Sequence, residues 1–351
     1  MKKGLLISFL VVFGTIVNAQ HKGLLKEIKK HQKAVHLLDD WMRDPYITIG
    51  PDNKYYLTAT QQKNETGDEG MPAWRSNDLA SWEFLGFPYH ISEASNAQQF
   101  RQRLDKRNAE RVGQEPQPLR MWAPELYFLD GKWVFIHTSN TGLGNFVVTK
   151  GEDLNSGFTD WGTGFGYHHD PSIFTDDDGS RYLVAKCTEI IKIKADLSGF
   201  DGEPTRLDPE NRKMGHEGAF IIKFKGKYVL FGTGWSTDKM RHGTYNLYYA
   251  TADKIEGPYG PRKFAGRFLG HGTLFKDKKG RWWCTAFYNA NEPALDPEDA
   301  STKDLSQTAY TINRQGLTLV PMEIKMKDGE ILVYPKDEDY RYPGKEEVQQ
   351  F

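Results

Sequence analysis

Cysteine is nearly missing from this chain, with Cys187 and Cys284 the only two among 351 residues. A disulfide-stapled framework is thereby excluded, since such scaffolds draw their stability from several bridges. Neither cysteine has the spacing of a zinc site, and both fall in apolar, strand-like runs, which predicts buried free thiols. Excess charge is missing as well. The net charge of -1 supplies no basic field for nucleic acid. Beyond residue 17 no apolar run approaches the roughly 20 residues that a membrane-spanning helix needs.

The start of the chain reads as an address. Lys2 and Lys3 open it, Gly4 to Val17 is almost continuously apolar, and Val17-Asn18-Ala19 has the small-residue pattern of a cleavage site. Residues 1–19 are therefore expected to be a signal peptide, and the mature chain to be secreted or periplasmic. What the remainder has in abundance is aromatic side chains, 13% of the total with nine Trp and seventeen Tyr. That balance suits β-structure and the stacking of flat ligands such as sugar rings.

A repeat organises everything after residue 43. Segments starting at Asp44, Ala123, Asp170, Glu217 and His271 each run from a small or polar start through a short apolar strand and a turn into an aromatic-rich strand. The turns (Pro-Asp-Asn, Asp-Gly, Asp-Asp-Gly, Lys-Gly and Lys-Lys-Gly) supply the positive φ of tight hairpins. Most intervals are about 50 residues, the length of a four-stranded propeller blade. The expected fold is all-β, a five-bladed β-propeller over residues 44–351. Residues 20–43 are expected to form a helical segment, since Leu25, Ile28, Val35 and Leu38 share one helical face. The polar stretch 91–118 lengthens the first interval and reads as a mobile loop or a short helix over one blade. Residues 308–312 and 319–324 offer strands to complete the last blade, and the tail from Asp337 reads as frayed.

Innermost strands of a propeller line its central channel, so equivalent starts converge. Here that set is Asp44, Ala123, Asp170, Glu217 and His271, four of them ionisable. A structural core would not gather carboxylates, which are costly to bury unless paired. Crowded carboxyls push their pKa values apart, and one ionised beside one protonated group is what base and acid catalysis requires. Trp122, His169, His216 and Trp235 are placed to line the same pocket and bind substrate.

These motifs resemble those of glycoside hydrolase family 43. Arg43-Asp44-Pro45-Tyr46-Ile47 is similar to the family's first-blade motif, Trp122-Ala123-Pro124-Glu125-Leu126 to the second, and His169-Asp170-Pro171-Ser172-Ile173-Phe174 to the third. Glu217-Gly218-Ala219-Phe220 is similar to the fourth, with Ala219 where the family often has Pro, and Gly270-His271-Gly272 to the fifth. The resemblance implies a hydrolase that inverts anomeric configuration, with Asp44 as general base and Glu217 as general acid. Asp170 would orient Glu217 and, ionised, raise its pKa. It implies no organic cofactor and a calcium ion supported by His271 through water. The substrates implied are oligo- or polysaccharides containing arabinose or xylose. Galactosides, anhydrogalactosides, phosphorolysis and a non-catalytic sugar-binding propeller are the alternatives; no Arg or Lys sits at a repeat start to favour phosphate.

Overall fold

The computed structural model describes residues 21–61, 69–161, 168–237, 243–287, 311–345 and 347. The expected signal peptide lies outside them, as do residues 308–310 of the strand expected near the end. Residues 21–30 are helical, but the helix does not continue to residue 38. Strand β1 (Val35–Leu38) follows instead. Val35 and Leu38 are needed as a β edge by the last blade, and β-branched Val suits that edge.

Four blades are four-stranded meanders. The first is β2 (Arg43–Ile49), β3 (Tyr55–Thr60), β4 (Gly70–Ser76) and β5 (Glu83–His90). The second is β6 (Met121–Leu129), β7 (Lys132–Ser139), β8 (Gly144–Thr149) and β9 (Phe158–Asp160). The third is β10 (Ser172–Thr175), β11 (Arg181–Ala185), β12 (Glu189–Ile193) and β13 (Phe200–Arg206). The fourth is β14 (Glu217–Phe224), β15 (Lys227–Trp235), β16 (Tyr245–Ala252) and β17 (Lys263–Gly266). The fifth takes β18 (Leu274–Lys276), β19 (Trp282–Ala286) and β20 (Leu317–Lys327) from the end of the chain and β1 from its beginning. Val35 stands opposite Leu319, and β21 (Glu330–Pro335) pairs the far half of β20. Residues 311 and 312 are not strand, because β1 already occupies that edge.

Second strands such as β3, β7 and β15 are buried along nearly their whole length, which is why they read as continuous apolar runs. Their side chains fill the seams between blades. Phe135 and Met71 meet between the first two blades, Ile136 and Leu183 between the second and third, Val184 and Leu230 between the third and fourth. Phe231 and Val320 meet between the fourth and fifth, Leu57 and Trp283 between the fifth and first. The 91–118 stretch contains α-helix Ala97–Glu110, whose Phe100 and Leu104 are buried in the first seam. The tail is not frayed at Asp337: its carboxylate accepts from Lys33 Nζ and Ala34 N, each at 2.8 Å, and Tyr340 OH donates to Asn313 at 2.7 Å. Those contacts cover the β1–β20 closure. Cys187 and Cys284 are free and buried, as expected. No helix among the described residues is long and apolar enough to cross a membrane.

Leu319→Ala tests the closure. Leu319 is fully buried opposite Val35, and truncation should remove about 2–5 kcal/mol of stability while leaving one cooperative urea transition. A separate early transition would show that the fifth blade opens independently of the ring.

Candidate active site

The five repeat starts share a backbone device. Asp44, Ala123, Asp170, Gly218 and His271 all have φ between 45° and 63°, the left-handed region. Such residues cost on the order of 1 kcal/mol unless glycine, with Asp and His better tolerated than most. In the first, second and fourth blades the register shifts at this point, a bulge between Arg43 and Tyr46, Trp122 and Glu125, and Glu217 and Phe220. A bulge re-aims side chains towards the channel. Hydroxyls of the preceding blade brace it: Ala123 N donates to Thr60 Oγ1 and His271 N to Thr233 Oγ1, both at 2.7 Å.

This geometry corrects the register expected of Glu217. The residue at the kink of the fourth blade is Gly218, so Glu217 stands one position earlier, level with Arg43, Trp122 and His169. Gly218 is required twice over. Its φ is +63°, and an added Cβ would lie 2.7 Å from the His271 ring. The channel mouth therefore carries two tiers, Asp44, Asp170 and His271 at the kinks and Arg43, Trp122, His169 and Glu217 just before them.

His271 joins the first tier. Its Nδ1 lies 3.1 Å from Asp44 Oδ1 and 3.4 Å from Asp170 Oδ2. Thr60 Oγ1 donates to the other Asp44 oxygen at 2.7 Å. His169 joins the two tiers, with Nε2 3.4 Å from Asp170 Oδ2 and 3.3 Å from Glu217 Oε2. Glu217 also accepts from Tyr245 OH, and His216 Nε2 stands 3.6 Å from it. Trp235 packs on Tyr245 at 4.4 Å between ring centroids, and Trp122 meets the His169 ring edge-on at 6.5 Å. All eight residues singled out in the sequence thus gather at one place, Trp235 through Tyr245.

The charges are distributed by burial and contact. Burial disfavours a charged His271, yet Asp44 and Asp170 together hold its proton, raising it to about 10. Burial also acts against Asp44, but the His271 charge and hydrogen bond, with Arg43, bring it below the ordinary carboxylate value. Asp170 and Glu217 reverse the expected order. Burial, reinforced by the Glu217 and Asp44 charges, pushes Asp170 up to about 6 despite His271 and His169. Glu217 is buried too, but hydrogen bonds from His169 and Tyr245 and the charges of His271 and Arg43 hold it well below the carboxylate range. In this resting site the proton belongs to Asp170 before Glu217, because Glu217 receives the two donors and Asp170 only longer ion-pair contacts.

Tyr245 and Thr60 were missed in the sequence, while Arg43 and Glu125 stood in its motifs without being given a role. Arg43 adds positive charge beside Asp44 and Glu217 and stacks 5.2 Å above the Phe287 ring. Its place directly before Asp44 was the available signal. Glu125, buried and hydrogen-bonded by Tyr127 OH, is raised to about 8 chiefly by burial. A calcium ion fits at His271 only through water and only with the ring neutral: calcium-bound water donates hydrogen bonds, which the protonated ring cannot accept, its Nδ1 already faces two carboxylates, and calcium wants six to eight oxygens. Ligand atoms of His169, Asp170 and Glu217 lie within 4.8 Å of one another.

The His271 proton predicts a pH dependence. A raised folded-state pKa contributes stability that is full below the unfolded value near 6.5 and is lost as pH climbs towards 10. The protein should lose stability between pH 7 and 10 more steeply than His271→Asn, measured by urea unfolding at each pH. Parallel slopes would mean that His271 is neutral in the folded protein.

Comparison with known proteins agrees with this geometry. The chain matches "Glycosyl hydrolases family 43" over residues 37–329. "Xylosidase/arabinosidase 43A" of Humicola insolens is 25% identical over 223 residues, covering 47% of this chain and 64% of that protein. "Putative beta-xylosidase" of Escherichia coli is 23% identical over 291 residues, covering 70% of this chain and 47% of that protein. The chain thus spans less than two thirds of these curated relatives. A solved family 43 enzyme from Xanthomonas citri, also solved in complex with xylotriose, has a TM-score of 0.58 at 16% identity and covers 90% of this chain and 98% of its own. A Bacillus licheniformis family 43 protein gives 0.59 at 17% identity, covering 87% of this chain and 57% of its own. With the match spanning every blade of the propeller and its converging carboxylates, this chain belongs to glycosyl hydrolase family 43.

Proposed function

We propose that this protein is an exported glycosidase that hydrolyses arabinose- or xylose-containing glycans with inversion. The observation that carries the reading is the convergence of Asp44, Asp170 and Glu217 on His271 and His169 at one channel mouth. The names of the xylosidase and arabinosidase relatives support the sugar, and the charged start with its apolar run supports export.

Asp44, held ionised by His271 and Arg43 and oriented by Thr60, removes a proton from the attacking water. Glu217 protonates the departing glycosidic oxygen. Its resting charge means that it must gain a proton once substrate has displaced water from the site. Nε2 of His169, within 3.4 Å of both carboxyls, is positioned to carry that proton from Asp170. Desolvation by the bound sugar favours the neutral acid. Water and sugar thus lie between an anionic base and an acid that is charged only while the site is open. A water-held calcium at His271 would, when bound, add positive potential behind Asp44, and the residues named above perform every proton transfer.

Glu217→Gln should lower turnover of natural glycosides by about 10²–10⁴-fold while sparing activated aryl glycosides, whose leaving groups need less protonation. Asp44→Asn should depress both alike. Proton NMR of the first-formed product should show the inverted anomer; a retained anomer, or near-full activity in Asp44→Asn, would overturn these roles.

Calcium at His271 is checked by calorimetry. Adding calcium to chelator-treated protein should raise Tm, and His271→Asn should abolish the rise. An unchanged Tm would remove the ion from the proposal.

A further inference from the structure

The insertion that lengthens the first interval builds a cleft beside the catalytic residues. A cavity of about 190 Å³ lies between the helix Ala97–Glu110, the segment that follows it and the start of the second blade. Trp122 forms one wall, and three guanidinium-bearing residues, Arg107, Arg111 and Arg120, form much of the rest. Among the described residues no Asp or Glu lines it. The cleft is a shaped one, because its polar amides are committed to bracing its own backbone. Asn108 both donates to Gln117 O and accepts from Gln117 N, at 2.9 Å each, and Asn140 accepts from Arg120 N at 3.0 Å and donates to Pro118 O at 2.7 Å. Of the cleft's charges, those of Arg107 and Arg111 meet only neutral acceptors among the described residues. Arg107 donates to the Asn140 carbonyl and Arg111 to the Gln114 amide oxygen at 3.1 Å, both neutral acceptors. A solvated cationic face does not need a concave cleft or an aromatic wall, and this one has both.

Position decides what such a cleft would read. The Trp122 ring lies 6.5 Å from His169, and His169 contacts Glu217 at 3.3 Å. The Trp122 wall is thus linked through His169 to the residue proposed to protonate the leaving group, next to which the departing part of a glycan must lie. We propose that it is a binding subsite for an anionic sugar in that leaving part, one carrying a carboxylate or a sulfate ester, with the sugar face on Trp122 and the charge between Arg107 and Arg111. Planar guanidinium groups suit both anions through paired hydrogen bonds, and sugar rings stack on indole. The inference rests on the proposed glycosidase role only for the direction of the chain, since binding of the anion itself does not depend on turnover.

The test is therefore a binding measurement. Full-length Glu217→Gln protein is titrated by calorimetry with xylo-oligosaccharides of equal length that are neutral, hexuronate-substituted or sulfated. At low salt an anionic ligand should bind about tenfold more tightly than the neutral one, and the advantage should shrink as salt is raised. Which of the two anionic ligands gains more tells carboxylate from sulfate ester. Introducing Arg107→Gln and Arg111→Gln together should bring the ratio to about one, read against neutral-ligand binding by the same variant, which reports that the site is still folded. Equal affinity for neutral and anionic ligands, or a preference that survives the double substitution, would overturn the subsite. Neutral and anionic ligands that both bind without turnover in the unsubstituted protein would overturn the hydrolase reading while leaving the subsite standing.

Discussion

The pairing of β1 with β20 is the constraint on which the other features depend. A ring of blades presents its innermost strands to one axis only if the last blade meets the first, and here that blade is assembled from both ends of the described chain. The apolar seam between the fifth and first blades then forms around Leu57, Trp283 and Leu319. Hydrogen bonds across it hold the Asp44 segment in place: Thr273 and Thr285 hydroxyls donate to Pro45 O at 3.1 and 2.7 Å. Asp337 and Tyr340, from beyond the last strand, secure the same closure. Placing Asp44 is thus a consequence of joining two segments nearly 300 residues apart in sequence, as Val35 and Leu319 are.

Closure also makes the site electrostatically possible. Three carboxylates from three blades, each largely out of water, would repel one another and lose hydration without compensation. His271, from a fourth position on the ring, supplies a cation between Asp44 and Asp170, and Arg43 supplies another. His169 and Tyr245 then give Glu217 hydrogen bonds that Asp170 does not share. The asymmetry of donors separates two otherwise similar carboxyls, and separation of that kind lets one act as base while another is prepared as acid. The left-handed kinks serve the same end. Strain of about 1 kcal/mol at each kink other than Gly218 is accepted where it turns a side chain into the channel, and the hydroxyl braces from neighbouring blades hold two of them there.

Much of the plan was legible in the sequence because it is local and repeated. Turn residues fall at constant offsets, second strands are aromatic and apolar because both faces are buried, and Asp44, Asp170, Glu217 and His271 recur near the start of each unit. Those features set the number of blades and the residues that meet. The helical stripe through Leu25 and Ile28 was read correctly as far as residue 30, but nothing local could show that Val35–Leu38 would be taken as a strand by β20.

What tertiary structure alone decided was registration and charge. Whether Glu217 or Gly218 lines up with Asp44 depends on which residue occupies the left-handed kink, and Glu-Gly resolves that only when the His271 ring closes against the glycine. Which carboxyl holds a proton depends on donors brought from elsewhere in the ring, Tyr245 from two strands away in the same blade and His169 from the third repeat for Glu217, and no spacing rule carries that information. The cleft beside Trp122 likewise exists only because the insertion helix buries Phe100 and Leu104 in the seam of the first two blades, which turns Arg107 and Arg111 towards Trp122. Local sequence determined the repeating unit, since a hairpin is stabilised by its own turn and pattern; the contacts between units, separated by tens to hundreds of residues, determined the chemistry.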